Sequence, residues 1–202
     1  MNTDVTTHPG LLPRGRHGLS PEVVAHAQRE RLIDAVVDRV ADQGYAQTTV
    51  GHIVRAARVS RETFYALFAD KLDCYTQARS RRPVPLLADA FSETPEALQP
   101  PERLELALTA YFSRLVAEPT VARCFLVEGP GRAGRPTAED RAQHEATVRA
   151  LLTVAQTTDA FAADAVVRTV ASLVEEHLGS GRTEELLAKV PAIVGLAGCS
   201  SF

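Results

Sequence analysis

The sequence predicts an all-α fold in which a small amino-terminal helical domain precedes a larger helical domain. Three observations lead to this prediction. Apolar residues recur three, four and seven positions apart along much of the 202-residue chain, as on one face of a helix. Residues that favour helix starts precede these stretches, and glycine or proline follows them. No stretch shows the alternating pattern of a β-strand, and no internal repeat is present.

The composition is that of an ordinary soluble globular protein. Apolar residues make up 45% and charged residues 23% of the chain, and no apolar run approaches the roughly 18 residues of a membrane span. The first residues, MNTDVTTHPG, lack a basic-then-apolar signal, so we expect a cytoplasmic protein that does not associate with membranes. The three cysteines, Cys74, Cys124 and Cys199, are far apart and odd in number, which indicates reduced, partly buried thiols.

Charge is distributed unevenly along the chain. Through Arg82 there are 12 Lys and Arg against 9 Asp and Glu, whereas the remainder has 10 against 16. A mildly basic first part joined to an acidic second part fits a nucleic-acid-binding domain on a body that never touches nucleic acid. Because the charge of many protein surfaces varies to this extent, the charge pattern alone is weak evidence for nucleic-acid binding.

Two short helices joined by a tight turn are predicted between residues 48 and 68. Thr49 is suited to cap the first helix, in which Val50, Ile53 and Ala57 lie on one face. After a turn at Arg58 and Val59, Ser60 is placed to cap a second helix over residues 61–68. That helix buries Phe64, Leu67 and Phe68 on one side and exposes Arg61, Glu62, Thr63, Tyr65 and Ala66 on the other. A short helix with such a face fits the major groove of DNA, so we interpret the segment as a helix-turn-helix.

A longer helix is predicted ahead of this unit. Ser20 is a cap, Pro21 suits the first helical position, and Gly44 ends the helix after Gln43. A further helix begins after Asp70 and runs toward Arg82. The chain therefore divides into an arm (residues 1–19), a DNA-binding head (residues 20–72) and a larger helical body (residues 73–202).

Side chains of the second short helix are the candidates for contacts with DNA bases. The fork of the Arg61 guanidinium matches the O6 and N7 acceptors of guanine. Glu62 is suited to accept from a cytosine amino group, or equally to interact with the helix dipole. Thr63 is a candidate for a thymine methyl or a phosphate, and Ser60 is counted with it among the DNA contacts.

The segment from Val40 to Tyr75 resembles the amino-terminal DNA-binding domain of the TetR family of bacterial transcriptional repressors. The resemblance rests on Gly44-Tyr45, Thr48-Thr49-Val50, Ile53, Val59-Ser60-Arg61, Thr63-Phe64-Tyr65, Phe68 and Lys71. It implies that Tyr65 and Lys71 contact phosphates, with Thr49 offering its hydroxyl and the helix amino terminus. Tyr65 is alternatively a half-buried packing residue.

The chain departs from the family pattern at three positions. Arg58 stands at a turn position that is usually glycine, Glu62 where a small residue is common, and Leu72 where an acidic residue is common. We expect these differences to affect which operator is read rather than the fold.

The arm contains two further candidates for DNA contact. Arg14 and Arg16 are suited to enter the minor groove beside the head, where narrow A·T tracts attract arginine. The alternative is a solvated tail without a role in binding.

The body is helical throughout by its pattern. Helices are predicted over residues 101–117, from Pro119 to before Gly129, and over residues 137–156, 159–178 and 183–197. The resemblance implies that the last two helices pair with those of a second copy as a four-helix bundle, between Ala165 and Leu178 and between Leu186 and Leu196. Candidate interface residues are Ala171, Val174, Leu187, Val190, Ile193 and Val194. Alternatively, these residues cover only the core of their own chain.

The resemblance also implies a pocket in the body for a small-molecule effector that weakens DNA binding. Its proposed lining is Phe91, Tyr111, Phe112, Arg114, Phe125, Glu128 and His144. Aromatic residues at helical spacing are more often part of a core than of a pocket.

No pattern in the sequence favours an enzyme. The glycine-rich loop at residues 129–134 lacks the Gly-Lys-Ser/Thr ending of a phosphate-binding loop. The six histidines show no zinc spacing with the cysteines, so no metal or cofactor is predicted. We therefore predict a homodimeric, ligand-responsive repressor of TetR type that binds a palindromic operator in double-stranded DNA. The alternative is a helical interaction protein with a vestigial head.

Overall fold

The computed structural model describes residues 20–130 and 138–198, and over these residues it confirms the all-α fold. The arm, with its candidate contacts Arg14 and Arg16, lies outside the described residues. No helix in the described part is both long enough and apolar enough to cross a membrane. The α-helices are α1 (Pro21–Gln43), α2 (Val50–Ala57), α3 (Arg61–Leu67), α4 (Lys71–Arg81), α5 (Leu87–Ser92), α6 (Pro100–Ala117), α7 (Pro119–Leu126), α8 (Ala138–Ala155), α9 (Ala160–Ser180) and α10 (Val190–Gly198), and a 3-10 helix covers Thr183–Lys189.

Side-chain caps fix where the first four helices begin. Ser20, Thr49, Ser60 and Asp70 each accept a hydrogen bond from a backbone N–H in the first turn that follows. Each such cap contributes about 0.5–2 kcal/mol, because it satisfies a donor that has no partner within the helix. At the end of α1, Gly44 has a φ of 82° and its N–H donates to the Val40 carbonyl. The predicted starts of these helices and the end of α1 are confirmed.

The core of the head forms where α1 meets α2, α3 and α4. Ile33 and Val36 on α1, Ile53 on α2 and Phe64 on α3 are completely buried. Three residues of α4 belong to the same core, namely Cys74, Tyr75 and Ala78. The packing of the head thus continues past residue 72, and α4 is held against α1 as part of it.

The larger core lies in the body. Leu108 and Phe112 on α6 are completely buried, and they pack with Leu151 on α8, Val170 on α9 and Ile193 on α10. Because every helix contributes one apolar face, the body is a layered bundle whose polar faces point outward.

Helix α7 takes part in both cores. Cys124 and Phe125 are buried in the core of the head, whereas Ala122 is buried in the core of the body. Just beyond α7, the Glu128 carbonyl accepts a hydrogen bond of 2.9 Å from the Tyr45 N–H of the head. A displacement of this short helix therefore affects both domains.

Two features of the body differ from the sequence prediction. The short helix α5 was not predicted, and the single helix expected over residues 183–197 is divided into a 3-10 helix and α10. The physical reason for the division is Pro191, which has no N–H to donate to the Leu187 carbonyl and whose ring would clash with that carbonyl in a continuous helix. A new helix starts instead at Val190, with proline at a favourable first-turn position.

The described cysteines are shielded from solvent. Cys74 and Cys124 are free thiols and completely buried. Burial, the largest cause, raises the pKa of each thiol to about 12. Because thiolates are the reactive form, both cysteines are inert packing residues at neutral pH. Cys199 lies outside the described residues.

Candidate nucleic-acid interface and ligand cavity

The turn between α2 and α3 has a defined hydrogen-bonding pattern. Arg58 follows α2 with φ 54° and ψ 47°, which is the left-handed region, and its N–H donates to the carbonyls of Arg55 and Val54. The N–H of Val59 donates to the same Val54 carbonyl at 3.0 Å. This arrangement is a Schellman turn, which reverses the chain within two residues and directs it into α3.

Helix α3 is anchored by one apolar face. Phe64 is completely buried, its ring centroid lies 5.5 Å from that of Phe68, and the guanidinium of Arg29 lies 5.1 Å above the Phe68 ring. Because this face is fixed against α1, the opposite face of α3 points to solvent. Arg61 and Glu62 lie on that exposed face.

Arg61 and Glu62 are available for intermolecular contacts. Neither side chain makes a hydrogen bond or an ion pair with a described residue. The Arg61 side chain extends over α2, where its Nη2 atom would lie 3.4 Å from a Cβ built at Gly51. The guanidinium that was predicted to read guanine is thus beside the start of α2 and exposed.

The other polar residues of α3 are partly engaged. The Ser60 hydroxyl accepts from the Thr63 N–H at 3.0 Å and lies 2.9 Å from the Thr63 hydroxyl. Tyr65 is 54% exposed, and its ring packs edge-on against Phe64 at 5.3 Å between centroids. Its packing and its exposure agree with both readings of Tyr65, since the ring contacts Phe64 while about half of the residue remains accessible.

A polar network surrounds the start of α2. The Thr49 hydroxyl accepts from the His52 N–H at 3.2 Å. The Gln43 amide nitrogen lies 2.8 Å from Nδ1 of His52, so donation from Gln43 would leave the proton of the ring on Nε2. The partnership of Gln43 with His52 was not predicted, because the two residues are nine positions apart in different helices.

Lys71 has a structural environment that the sequence did not reveal. Its Nζ atom donates to the carbonyls of Tyr45 and Thr48, both at 2.7 Å, and lies 3.9 Å from the centre of the Tyr45 ring. Burial lowers the pKa of the ammonium from its ordinary value, while the two carbonyls favour its charged form. Lys71 therefore ties α4 to the segment between α1 and α2, and a phosphate contact would have to share the same ammonium.

A cavity of about 220 Å³ lies within the body between α5, α6, α8 and α9. Tyr111 and His144, two of the seven predicted pocket residues, line it. His144 is held by a 2.6 Å contact from its Nε2 to Asp164, which also binds Arg168 at 2.6 Å. The remainder of the lining is Leu87, Leu126, Asp140, Gln143, Thr147, Val167, Val170, Ala171, Val174 and Glu175.

The structure places the other five predicted pocket residues elsewhere. Phe91 and Phe112 are completely buried in the core of the body, and Phe125 is buried in the core of the head. Arg114 is exposed and lies 3.5 Å from Glu93. Glu128 pairs with Arg123 at 3.3 Å where the body meets the head. This correction has a common cause, because large aromatic side chains were needed to fill the cores and charged ones to link surface elements.

A signal for the cavity was present in the sequence. Asp140, Gln143 and Thr147 follow each other at helical spacing on α8, as do Val167, Val170 and Val174 on α9. A polar stripe facing an apolar one indicates a wet space between helices rather than a dry core. The predicted lining relied instead on aromatic residues, of which Phe91, Phe112 and Phe125 are buried in the cores.

A wider crevice of about 480 Å³ separates α1 from the body. Asp38 and Asp42 of the head line one wall, and Arg123 and Glu184 of the body line the other. Since the walls belong to different domains, the width of this crevice depends on the orientation of the head relative to the body.

The predicted dimer residues fall into two groups. Val174, Val190 and Ile193 are buried in the core of their own chain, and Ala171 and Val174 line the cavity. Val194 is half-buried and Leu187 is 38% exposed. The exposed residues that neighbour Leu187 and Val194 form an apolar set, here called the carboxyl-terminal apolar strip, which consists of Leu187, Ala188, Pro191, Ala192, Gly195 and Leu196.

The geometry of α1–α3 defines the class of protein as a helix-turn-helix DNA-binding protein. Residues 32–78 match the family described as bacterial regulatory proteins, tetR family. These residues thus form a DNA-binding domain of the TetR family, as the resemblance implied. No curated protein sequence matches the chain.

Solved structures share the fold over nearly the whole chain. A TetR-like transcriptional regulator from Rhodococcus sp. RHA1 superposes with a TM-score of 0.68 at 19% identity, covering 87% of this chain and 97% of that chain. The fatty acid degradation regulator FadR from Bacillus halodurans gives 0.63 at 22% identity, with 84% and 94% covered. The FadR of Bacillus subtilis, solved in complex with stearoyl-CoA, gives 0.58 at 19%, with 83% and 96% covered. At these identities, the likeness concerns the fold.

Proposed function

We propose that the protein is a cytoplasmic, homodimeric repressor that binds a palindromic operator and is released from it by a small molecule bound in the body. The observation that carries the proposal is the α3 face, where Arg61 is exposed, has no partner among the described residues and lies on a helix anchored by the buried Phe64. A guanidinium held in this way is suited to read guanine in the major groove. We propose Thr49, Ser60, Glu62, Thr63 and Tyr65 as the surrounding DNA contacts, with Lys71 and the arm residues Arg14 and Arg16 as further candidates.

Selection of binding sites from a random DNA library tests the proposal. We expect an enriched palindrome, because two heads of a dimer read two half-sites on one face of the duplex. We also expect its affinity to fall steeply with salt, since phosphate contacts release counterions. A folded protein that enriches no site would contradict the operator and favour an interaction protein with a vestigial head.

Dimerisation is supported by the carboxyl-terminal apolar strip. Leu187 and Leu196 are 38% and 54% exposed, and no charged residue occurs within α10. A set of exposed apolar residues of this kind is characteristic of an interface rather than of a solvated helix. We propose that the strip pairs with its copy in a second molecule, with Val194 at its edge.

We predict that replacing Leu187 and Leu196 with glutamate weakens the dimer by at least on the order of a hundredfold. Each carboxylate would lose hydration in the interface without a partner, which costs several kcal/mol per ion. Sedimentation velocity across a concentration series measures the effect. The matched control is Val23→Glu on α1, which is 48% exposed and lies in the head. A wild type that sediments as a monomer would contradict the proposed interface.

The small-molecule site is proposed to be the 220 Å³ cavity. Ligand pockets for drug-sized molecules hold about 300–1,000 Å³, so the effector is a small molecule rather than a long acyl thioester. Tyr111 and His144 are polar groups suited to orient it between the polar stripe of α8 and the apolar stripe of α9.

Release from DNA is proposed to pass through α7. Leu126 lines the cavity, while the preceding Phe125 is buried in the core of the head. A ligand that shifts Leu126 therefore also shifts Phe125 and the Glu128 contact to Tyr45, which changes the angle of the head. Ligand and operator are coupled because each favours a different orientation of the two heads.

We predict that Gln143→Trp abolishes the response to effector without impairing DNA binding. Gln143 is half-buried at the cavity, and an indole there fills the space that the effector needs. Compounds that release the wild type from its selected operator should shift its affinity by about 5- to 150-fold and leave Gln143→Trp unaffected. Glu145→Trp, which is exposed on the same helix, should respond as the wild type does. An unchanged response in Gln143→Trp would place the effector elsewhere.

A further inference from the structure

Arg58 occupies a conformation that is unfavourable for arginine. Its φ of 54° lies in the left-handed region, and only one other described non-glycine residue, Gln156, has a positive φ. The turn requires this conformation because the Arg58 and Val59 N–H groups both cap α2. Glycine or asparagine would meet the requirement with less strain. Backbone strain that persists in a fold is often found at residues with a functional role.

The Arg58 side chain has no interaction partner in the described part of the chain. It is exposed and makes no hydrogen bond or ion pair with a described residue. A cation near the carboxyl end of a helix is favourable, but Arg55 already occupies the last turn of α2. Among residues 20–130 and 138–198, the fold therefore offers no intramolecular reason for arginine at this position.

Arg58 follows the helix that carries Arg55, and Arg61 extends over the same helix. Gly51 and Arg55 are four positions apart on one stripe of α2, and Arg58 directly follows the last residue of that helix. The Arg61 guanidinium extends over the same stripe at Gly51. Arg55 and Arg61 are exposed and, like Arg58, without a partner among the described residues. We call these three residues, Arg55, Arg58 and Arg61, the arginine strip.

We propose that Arg58 binds a DNA phosphate beside the bases that Arg61 reads. The proposal rests on the proposed function, because it requires α3 to lie in the major groove. A row of unpaired guanidiniums beside a reading helix is complementary to the regularly spaced charges of one DNA strand. Arg58 contributes affinity on every sequence and positions the head, while Arg61 supplies the choice of base.

Three variants separate the charge of Arg58 from its backbone conformation. Arg58→Gly and Arg58→Asn remove the charge with residues that tolerate a positive φ, and Arg58→Lys retains the charge. Binding is measured by fluorescence anisotropy against potassium chloride, on the selected operator and on a mixed-sequence duplex. Denaturant unfolding of each variant is measured in parallel.

We expect Arg58→Gly and Arg58→Asn to weaken binding to both duplexes by on the order of tenfold at low salt. The slope of log affinity against log salt should become shallower by about 0.9 per protomer bound, because one phosphate contact is lost. Arg58→Lys should retain most of the slope. The unfolding midpoint of Arg58→Gly should be unchanged or raised, which would exclude misfolding as the cause.

An Arg58→Gly variant that binds with the affinity and slope of the wild type would overturn this inference alone. A wild type that binds neither duplex would overturn the proposed function, and this inference with it. A loss confined to the selected operator, with an unchanged slope, would also overturn the inference, since it would make Arg58 a base reader. Arg149→Ala, which removes an exposed arginine from α8, controls for the change in net charge and should leave the slope unaltered.

Discussion

Phe64→Ala should destabilise the head by about 3–5 kcal/mol, which is the cost of removing a fully buried phenylalanine ring. Phe64 is completely buried and packs against the rings of Tyr65 and Phe68. Phe64 is the one buried residue of α3, which is only seven residues long. A helix of that length has little stability of its own, so removing the Phe64 ring destabilises the whole DNA-binding unit.

Urea unfolding followed by circular dichroism measures this loss. Because the two cores are distinct, we expect the head of the variant to unfold in a separate transition at lower urea while the body remains folded. Glu62→Ala is the matched control, since Glu62 is exposed on the same helix and its removal should change stability by about 0.5 kcal/mol or less. A loss of less than about 1 kcal/mol in Phe64→Ala would show that α3 is attached mainly by other contacts.

The parts of the fold that were predicted from the sequence depend on local signals. Ser20, Thr49, Ser60 and Asp70 cap helices that begin at the next residue, so the residue type and the helix start are directly linked. The division of the last predicted helix also has a local cause in the sequence, which is Pro191. It was missed since the apolar periodicity continues on both sides of the proline.

The parts that were not predicted depend on contacts between distant elements. Tyr111 and Phe112 are adjacent aromatic residues on one helix, yet the first lines the cavity and the second is completely buried in the core. A rotation of about 100° per residue separates the two environments, and the sequence does not say which neighbour faces the gap. Lys71 is similar, because its acceptors, the Tyr45 and Thr48 carbonyls, lie more than twenty positions earlier in the chain.

Arg61→Ala should remove most of the preference for the selected operator. A bidentate contact to guanine is worth about 1–3 kcal/mol, and a dimer makes it twice, so about 2–6 kcal/mol of discrimination is at stake. This corresponds to a factor from about thirty to about twenty thousand in the affinity for the operator. Binding to a mixed-sequence duplex should change far less, because the remaining phosphate contacts are sequence-independent. Anisotropy titrations on both duplexes give the ratio directly.

Arg61→Lys distinguishes base reading from simple attraction to phosphate. Lysine keeps the positive charge but lacks the planar fork that matches O6 and N7 of guanine. If Arg61 reads a base, Arg61→Lys should lose most of the discrimination and keep the affinity for the mixed-sequence duplex. If Arg61 instead binds phosphate, Arg61→Lys should resemble the wild type on both duplexes, and Arg61→Ala should weaken both equally. The first pattern is expected, because the Arg61 guanidinium is exposed beside α2 and its helix is fixed by the buried Phe64.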